Sequence, residues 1–66
     1  MNLILNGEPR SFAELNSLAA LVDALGLDPR KVAIELNLEI VPRSLYAQTG
    51  IKDGDRLEIV QFVGGG

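Results

Sequence analysis

The residues with the clearest chemical potential are the last three, Gly64, Gly65 and Gly66. An uncrowded terminal carboxylate can be activated by transfer to a nucleotide phosphate and then attacked by a nucleophile. A segment without side chains can also follow a narrow channel in any backbone conformation. We therefore expect residues 64–66 to form a flexible tail that carries the Gly66 carboxylate into the active site of another protein. Glycine content alone leaves a passive terminus equally open.

The rest of the sequence does not indicate catalysis by the chain itself. It contains no histidine and no cysteine, which removes the commonest general base and a common nucleophile. Asp53 and Asp55 flank Gly54, a pattern typical of a turn in which side chains bond nearby backbone amides. A metal or catalytic role for this pair is the less favoured interpretation, because no third ligand type stands nearby. We expect no enzyme activity, no metal site and no cofactor bound by this chain.

Length and composition indicate one small globular domain. A chain of 66 residues that is 47% hydrophobic and 23% charged should pack a core, and we place the domain at residues 1–63. The formal charge of −3 disfavours a nucleic-acid partner, which would normally meet a basic surface. No stretch reaches the roughly 20 apolar residues of a membrane span, and no basic leader follows Met1. We expect a soluble, cytoplasmic protein that is monomeric when free.

The first half of the sequence predicts a hairpin. Asn2 to Asn6 is rich in large aliphatic residues, and the pair Asn6-Gly7 is typical of a two-residue turn into a second strand that ends near Phe12. One alternative is open, because Ser11 to Glu14 fits a capping box that would begin a helix early.

A helix is predicted to begin at Asn16 or Ser17. Large apolar residues then recur at the spacing of one helix face, and these are Leu18, Leu21, Val22 and Leu25. Gly26 is suited to the left-handed conformation that ends a helix, and Asp28-Pro29 indicates a connecting turn.

The second half of the sequence predicts three more strands. Val32, Ile34 and Leu36 alternate with smaller or polar residues, so they should form the inner face of a strand. Further short elements follow: a strand at Glu39 to Val41, one helical turn at Arg43 to Tyr46, a turn at Lys52 to Asp55, and a last strand from Arg56 to about Val63.

This order of elements predicts an α+β fold. The economical packing places the helix across one face of a mixed sheet of four to five strands. A right-handed crossover through the helix brings the last strand beside the first and parallel to it. That arrangement is the ubiquitin-like β-grasp topology.

The last strand also predicts a docking surface. If Leu57 and Ile59 face the helix, Val60 and Phe62 lie on the uncovered face of the sheet. We expect Ile4 from the neighbouring first strand to join them. An apolar patch beside a mobile tail favours a partner-binding role, while ordinary exposure of a few aliphatic side chains is the alternative.

Several segments together resemble a known family. They are the first strand with Asn6, the leucine-rich helix, Glu39-Ile40-Val41-Pro42-Arg43, Asp53-Gly54-Asp55 and the terminal Gly65-Gly66. In this combination the chain resembles the sulfur carrier proteins of thiamine biosynthesis, the ThiS family, over essentially its whole length. Any one of these segments alone would be weak.

The resemblance implies a specific chemistry for the chain end. An E1-like enzyme that uses ATP and Mg²⁺ would adenylate the Gly66 carboxylate. A sulfur donor such as a cysteine desulfurase would convert the adenylate to a thiocarboxylate, and thiazole synthase would take the sulfur. Gly64 and Gly65 would thread the tail into the partner, and Ile4, Val60 and Phe62 would contact it.

Two residues depart from the family pattern. Leu38 stands where many relatives have glycine or a polar residue, and a bulky side chain disfavours the positive φ of a tight turn. Gly64 replaces what is often another small residue.

Three other functions are open. They are a carrier for a second pathway of the molybdopterin type, a ubiquitin-like modifier conjugated to lysines, and a plain interaction module.

Overall fold

A computed structural model describes residues 1–62 of the chain. The predicted tail at Gly64, Gly65 and Gly66 therefore lies outside the described residues, as does Val63. The described part contains the following elements: β1 (Asn2–Leu5), β2 (Glu8–Ser11), α1 (Leu18–Ala24), a 3₁₀ helix at Pro29–Lys31, β3 (Val32–Leu36), β4 (Glu39–Val41), a second 3₁₀ helix at Arg43–Gln48, and β5 (Arg56–Gln61).

The first hairpin forms as its turn residues predict. Asn6 and Gly7 have φ values of 51° and 82°, the left-handed conformations that a two-residue turn between twisted strands requires. The strands pair in antiparallel register from Leu5 opposite Glu8 to Asn2 opposite Ser11. Because Ser11 belongs to this ladder and its hydroxyl donates to Asn2 Oδ1 at 2.7 Å, the early capping box is wrong.

Helix α1 begins at Leu18, one residue after the predicted start, and Ser17 is its N-cap residue. The Ser17 hydroxyl oxygen accepts a hydrogen bond from the Ala20 amide at 3.1 Å, which satisfies one of the free donors of the first turn. Gly26 follows the helix with φ of 72°, the left-handed stop that its position predicts. The one α-helix among residues 1–62 has 7 residues. No helix in that range combines the length and apolar character needed to cross a membrane.

The five strands form one mixed sheet in the order β2-β1-β5-β3-β4. β5 lies parallel to β1 and antiparallel to β3, so the last strand in sequence is the central strand of the sheet. Helix α1 packs on one face, and no element within residues 1–62 covers the other face. This is the β-grasp arrangement that the order of elements predicts.

The core lies between α1 and the inner face of the sheet. The side chains with the least exposure come from every layer of the fold: Leu3, Leu18, Leu21, Val22, Ile34 and Leu57, each at most 1% exposed. The inner faces predicted for α1 and β3 are therefore confirmed, although Leu25 and Leu36 at their ends are only partly buried.

Candidate docking surface and chain end

The outer face of β5 carries two exposed apolar side chains. Val60 is 60% exposed and Phe62, just after the strand, is 52% exposed, while Leu57 is fully buried on the opposite face. The predicted orientation of this strand is therefore confirmed. Phe62 is the last described residue, and in the sequence only Val63 separates it from the three glycines.

Ile4 lies on the same outer face but is not beside these residues. The parallel register places Ile4 opposite Arg56 and Leu5 opposite Leu57, and the pairing of β1 with β5 ends there. Val60 is four residues beyond Arg56 along β5, which corresponds to about 13 Å at the rise of a strand. The expectation that Ile4 joins Val60 and Phe62 is corrected, because β1 is too short to reach their level.

The neighbours of Val60 come instead from β3 and β4. Ala33 is directly opposite Val60, and Ile40 on β4 is 77% exposed. Ala33, Ile40 and Val60 line a shallow depression of about 100 Å³. We call these three residues and Phe62 the outer patch. Sequence reasoning missed Ile40, because its outward direction follows from the pairing of the partly buried Val41 with Ile34 on the inner face, which places Ile40 opposite Glu35.

Two carboxylates border the outer patch. Glu35 on β3 and Glu58 on β5 are directly opposite each other, and both line the depression beside Val60. Like charges in this cross-strand position are destabilising. A basic group on a partner would relieve that repulsion, so the arrangement favours a partner surface with lysine or arginine around an apolar centre.

The Asn6 side chain fixes β5 on the side of β1. Its Oδ1 accepts from the Ile59 amide at 2.7 Å, and its Nδ2 donates to the Ile59 carbonyl at 3.2 Å. The side chain thus takes the place of one further residue of β1. These bonds join residues that are 53 positions apart in the sequence. They fix the position of β5 beside the turn that ends β1.

The other end of β5 is fixed by Asn37 and Asp55. Asn37 Oδ1 accepts from the Arg56 amide at 2.9 Å, and its Nδ2 donates to Asp55 Oδ1 at 3.0 Å. Asp55 is 5% exposed, and its second oxygen accepts from the Lys52 amide at 2.8 Å. The interpretation of Asp53-Gly54-Asp55 as a turn is therefore confirmed.

A second depression lies on the helix side, between α1 and the two 3₁₀ helices. It has a volume of about 380 Å³, and Val22, Leu27 and Tyr46 are among its lining residues. Burial raises the pKa of the Tyr46 phenol above its ordinary value. Among residues 1–62 no group of three or more histidine, cysteine, aspartate or glutamate side chains is placed to hold a metal ion.

The sequence as a whole matches a described protein family. The model of the ThiS family matches residues 3–66. The chain belongs to the ThiS family. A crystal structure of the thiamine biosynthesis protein ThiS from Geobacter metallireducens superposes with a TM-score of 0.82 at 38% identity and covers the whole of both chains. The β-grasp topology derived from the strand pairing thus agrees with membership of the ThiS family.

Curated relatives of this ThiS-family chain differ in length. A thiazole synthase of Paramagnetospirillum magneticum is 58% identical over 66 residues, which are all of this chain and 20% of that protein. The sulfur carrier protein ThiS of Escherichia coli is 29% identical over the full length of both chains. The chain therefore spans about a fifth of the length of the first relative and all of the second.

Proposed function

We propose that this chain is a sulfur carrier for thiazole biosynthesis and that its reacting group is the Gly66 carboxylate. Membership of the ThiS family and the likeness to a curated sulfur carrier protein support this proposal. The 58% identity to part of a protein named thiazole synthase supports thiazole synthase as the acceptor of the sulfur. The chain is then a substrate of its partners and not itself a catalyst, and it acts in the cytoplasm, where ATP is available.

The proposed chemistry has two steps before the sulfur is delivered. A Gly66 carboxylate oxygen attacks the α-phosphorus of ATP in an E1-like enzyme with its Mg²⁺, and pyrophosphate leaves. Hydrosulfide then attacks the acyl carbon of the adenylate, AMP leaves with the bonding electrons, and one proton is released. A cysteine desulfurase would supply the sulfur as a persulfide, in which case a thiol must also reduce the resulting disulfide. Gly64 and Gly65 add no side chain that would obstruct passage into the partner.

The observation that carries this proposal is the position of β5. It is the central strand, held by Asn6 on one side and by β3 on the other, and its outer face bears Val60 and Phe62. A partner that binds the outer patch therefore contacts the strand that leads in sequence into the glycine tail. Ile4 lies further down the same face and would contact only a partner that covers the length of the sheet.

Intact mass spectrometry tests the proposal. The full chain is incubated with the E1-like enzyme, ATP, Mg²⁺ and sulfide, and we expect a mass gain equal to the exchange of one oxygen for sulfur. A variant that lacks Gly66 is the matched control and should show no gain. An unchanged mass of the full chain, with an enzyme shown to be active on another carrier, would contradict the proposal.

A further inference from the structure

Hydrogen bonds along β5 alternate between its two neighbours. The Phe62 amide donates to the Lys31 carbonyl at 2.7 Å, and the Arg56 carbonyl accepts from Asn37 at 2.8 Å. Because antiparallel pairs exchange hydrogen bonds at every second residue, residues 56, 58, 60 and 62 face β3. The backbone groups of the intervening residues, including Gln61, point toward the side of β1.

On that side, partners are present only as far as Ile59. The Leu57 carbonyl accepts from the Asn6 amide at 2.8 Å, and the Asn6 side chain satisfies both backbone groups of Ile59. The chain then turns away, with φ of 51° at Asn6 and 82° at Gly7. The pairing of β1 with β5 ends at Leu5 opposite Leu57, so no residue of β1 is level with Gln61. Within residues 1–62 the N–H and C=O of Gln61 therefore have no ladder partner on this side, and the residue is exposed.

A notch lies beside this open strand edge. Leu5, Leu25, Leu27 and Ile59 line it with apolar surface, and the space measures about 330 Å³. Arg10 also lines the notch, and its guanidinium lies 5.5 Å from the Phe12 ring centroid. The notch therefore has a mixed lining, with apolar surface that a side chain can contact and a positive charge, beside two free backbone groups.

We propose that the open edge of β5 at Gln61 accepts an extended segment of thiazole synthase as an added strand in line with β1. Strand addition satisfies free backbone groups by main-chain hydrogen bonds and gains specificity from side-chain pockets. The added segment places an apolar side chain in the notch and an acidic side chain near Arg10. This inference rests on the proposed function, since β5 leads directly into the tail whose end thiazole synthase must reach.

Amide hydrogen exchange measured by NMR tests the contact directly. In the free full-length chain the Gln61 amide should exchange rapidly, while the Ile59 amide, bonded to Asn6, is protected and serves as the internal reference. With saturating thiazole synthase the Gln61 amide should become protected by at least tenfold. A complex that forms while Gln61 exchanges as in the free chain overturns the inference and leaves the sulfur-carrier proposal intact.

Two variants at the same position give an independent measurement. Gln61→Pro removes the outward N–H without removing a hydrogen bond to β3, so a proline is tolerated there as on an edge strand. Affinity for thiazole synthase should fall about three- to tenfold, as expected for the loss of one hydrogen bond. Gln61→Ala keeps the backbone N–H and should bind as the original chain does.

Each outcome separates the two proposals. Equal affinity of the proline and alanine variants overturns the strand addition. If the proline variant does not fold, the exchange experiment on the unaltered chain decides. If the unaltered chain gains sulfur but does not bind thiazole synthase, the strand addition is wrong, while the conversion of the Gly66 carboxylate to a thiocarboxylate stands. If it neither gains sulfur nor binds, both proposals fall.

Discussion

Leu38 adopts a backbone conformation that its side chain opposes. Its φ is 72°, next to Asn37 at 51°, so both central residues of the β3–β4 hairpin are left-handed. A side chain with a Cβ in this conformation costs about 1–2 kcal/mol, whereas glycine adopts it freely. Leu38 is also 80% exposed, so burial does not offset the strain. The left-handed conformation of Leu38 therefore opposes the stability of the fold.

Substituting this residue should stabilise the fold. We expect Leu38→Gly to raise the free energy of unfolding by about 1 kcal/mol and Tm by about 4–8 °C, because the left-handed strain is removed. Leu38→Ala is the matched control, since it removes the exposed side chain but keeps the Cβ. Calorimetry on the two variants measures the difference. Equal Tm values would show that backbone strain at this position is negligible.

Asn6 has two roles, of which the sequence indicates only one. The pair Asn6-Gly7 predicts the turn from local propensity. The bonds from the Asn6 side chain to Ile59 depend on a register between β1 and β5 that no local pattern reveals.

We expect Asn6→Gly, which retains the backbone conformation, to lower the free energy of unfolding by about 1 kcal/mol through the loss of these exposed hydrogen bonds. Urea denaturation measures the change. An unaltered midpoint would show that the hydrogen bonds between the Asn6 side chain and Ile59 do not stabilise the fold.

The first 3₁₀ helix owes its start to Asp28. This carboxylate accepts hydrogen bonds from the Arg30 guanidinium at 2.9 Å and from the Arg30 amide at 2.9 Å. The guanidinium hydrogen bond, followed by the amide bond, lowers the pKa of Asp28 from 3.8 to about 2. A capping carboxylate with a depressed pKa stabilises the fold only while it is ionised.

The resulting pH dependence follows from the sign of that shift. The stabilisation by Asp28 is complete above the ordinary pKa of 3.8 and is lost as the pH falls through about 2. Asp28→Asn should therefore lower Tm at neutral pH, and its deficit should shrink below pH 3.8. NMR titration of Arg30→Gln should show the Asp28 pKa moving back toward 3.8. A titration that is the same with and without Arg30 would contradict this assignment.

Local signals account for most of the elements, and pairing between strands accounts for what they miss. Ser17, Gly26 and the alternation at Val32 to Leu36 each determine a nearby boundary or face, so they could be found in the sequence. The grouping of Ile40 with Val60, and the separation of Ile4 from both, depend on which residues lie opposite each other in the sheet. The open edge at Gln61 is also a property of register, because it exists only where β1 stops.

At the scale of the whole molecule, Val60 and Phe62 of the outer patch lie at the end of β5, the strand that precedes the glycine tail in the sequence. A charge at Phe62 should therefore weaken binding to the E1-like enzyme without disturbing the core, since this side chain is 52% exposed. We expect Phe62→Asp to reduce affinity at least tenfold, with Tm nearly unchanged. Leu45→Asp is a control at a 44% exposed apolar residue of the second 3₁₀ helix, away from the patch. Similar affinities for the two variants would assign Phe62 to ordinary surface exposure.

The facing carboxylates of Glu35 and Glu58 should have opposite effects on folding and on binding. Their repulsion across β3 and β5 opposes the fold, so Glu58→Gln should raise the free energy of unfolding by about 0.2–1 kcal/mol. The same change removes a negative charge that a basic partner surface would meet, so association with the E1-like enzyme should slow and become less dependent on salt. Glu14→Gln changes the net charge equally at an exposed loop position before α1 and is the matched control. If both variants bind at the same rate, net charge and not the position beside the outer patch governs association.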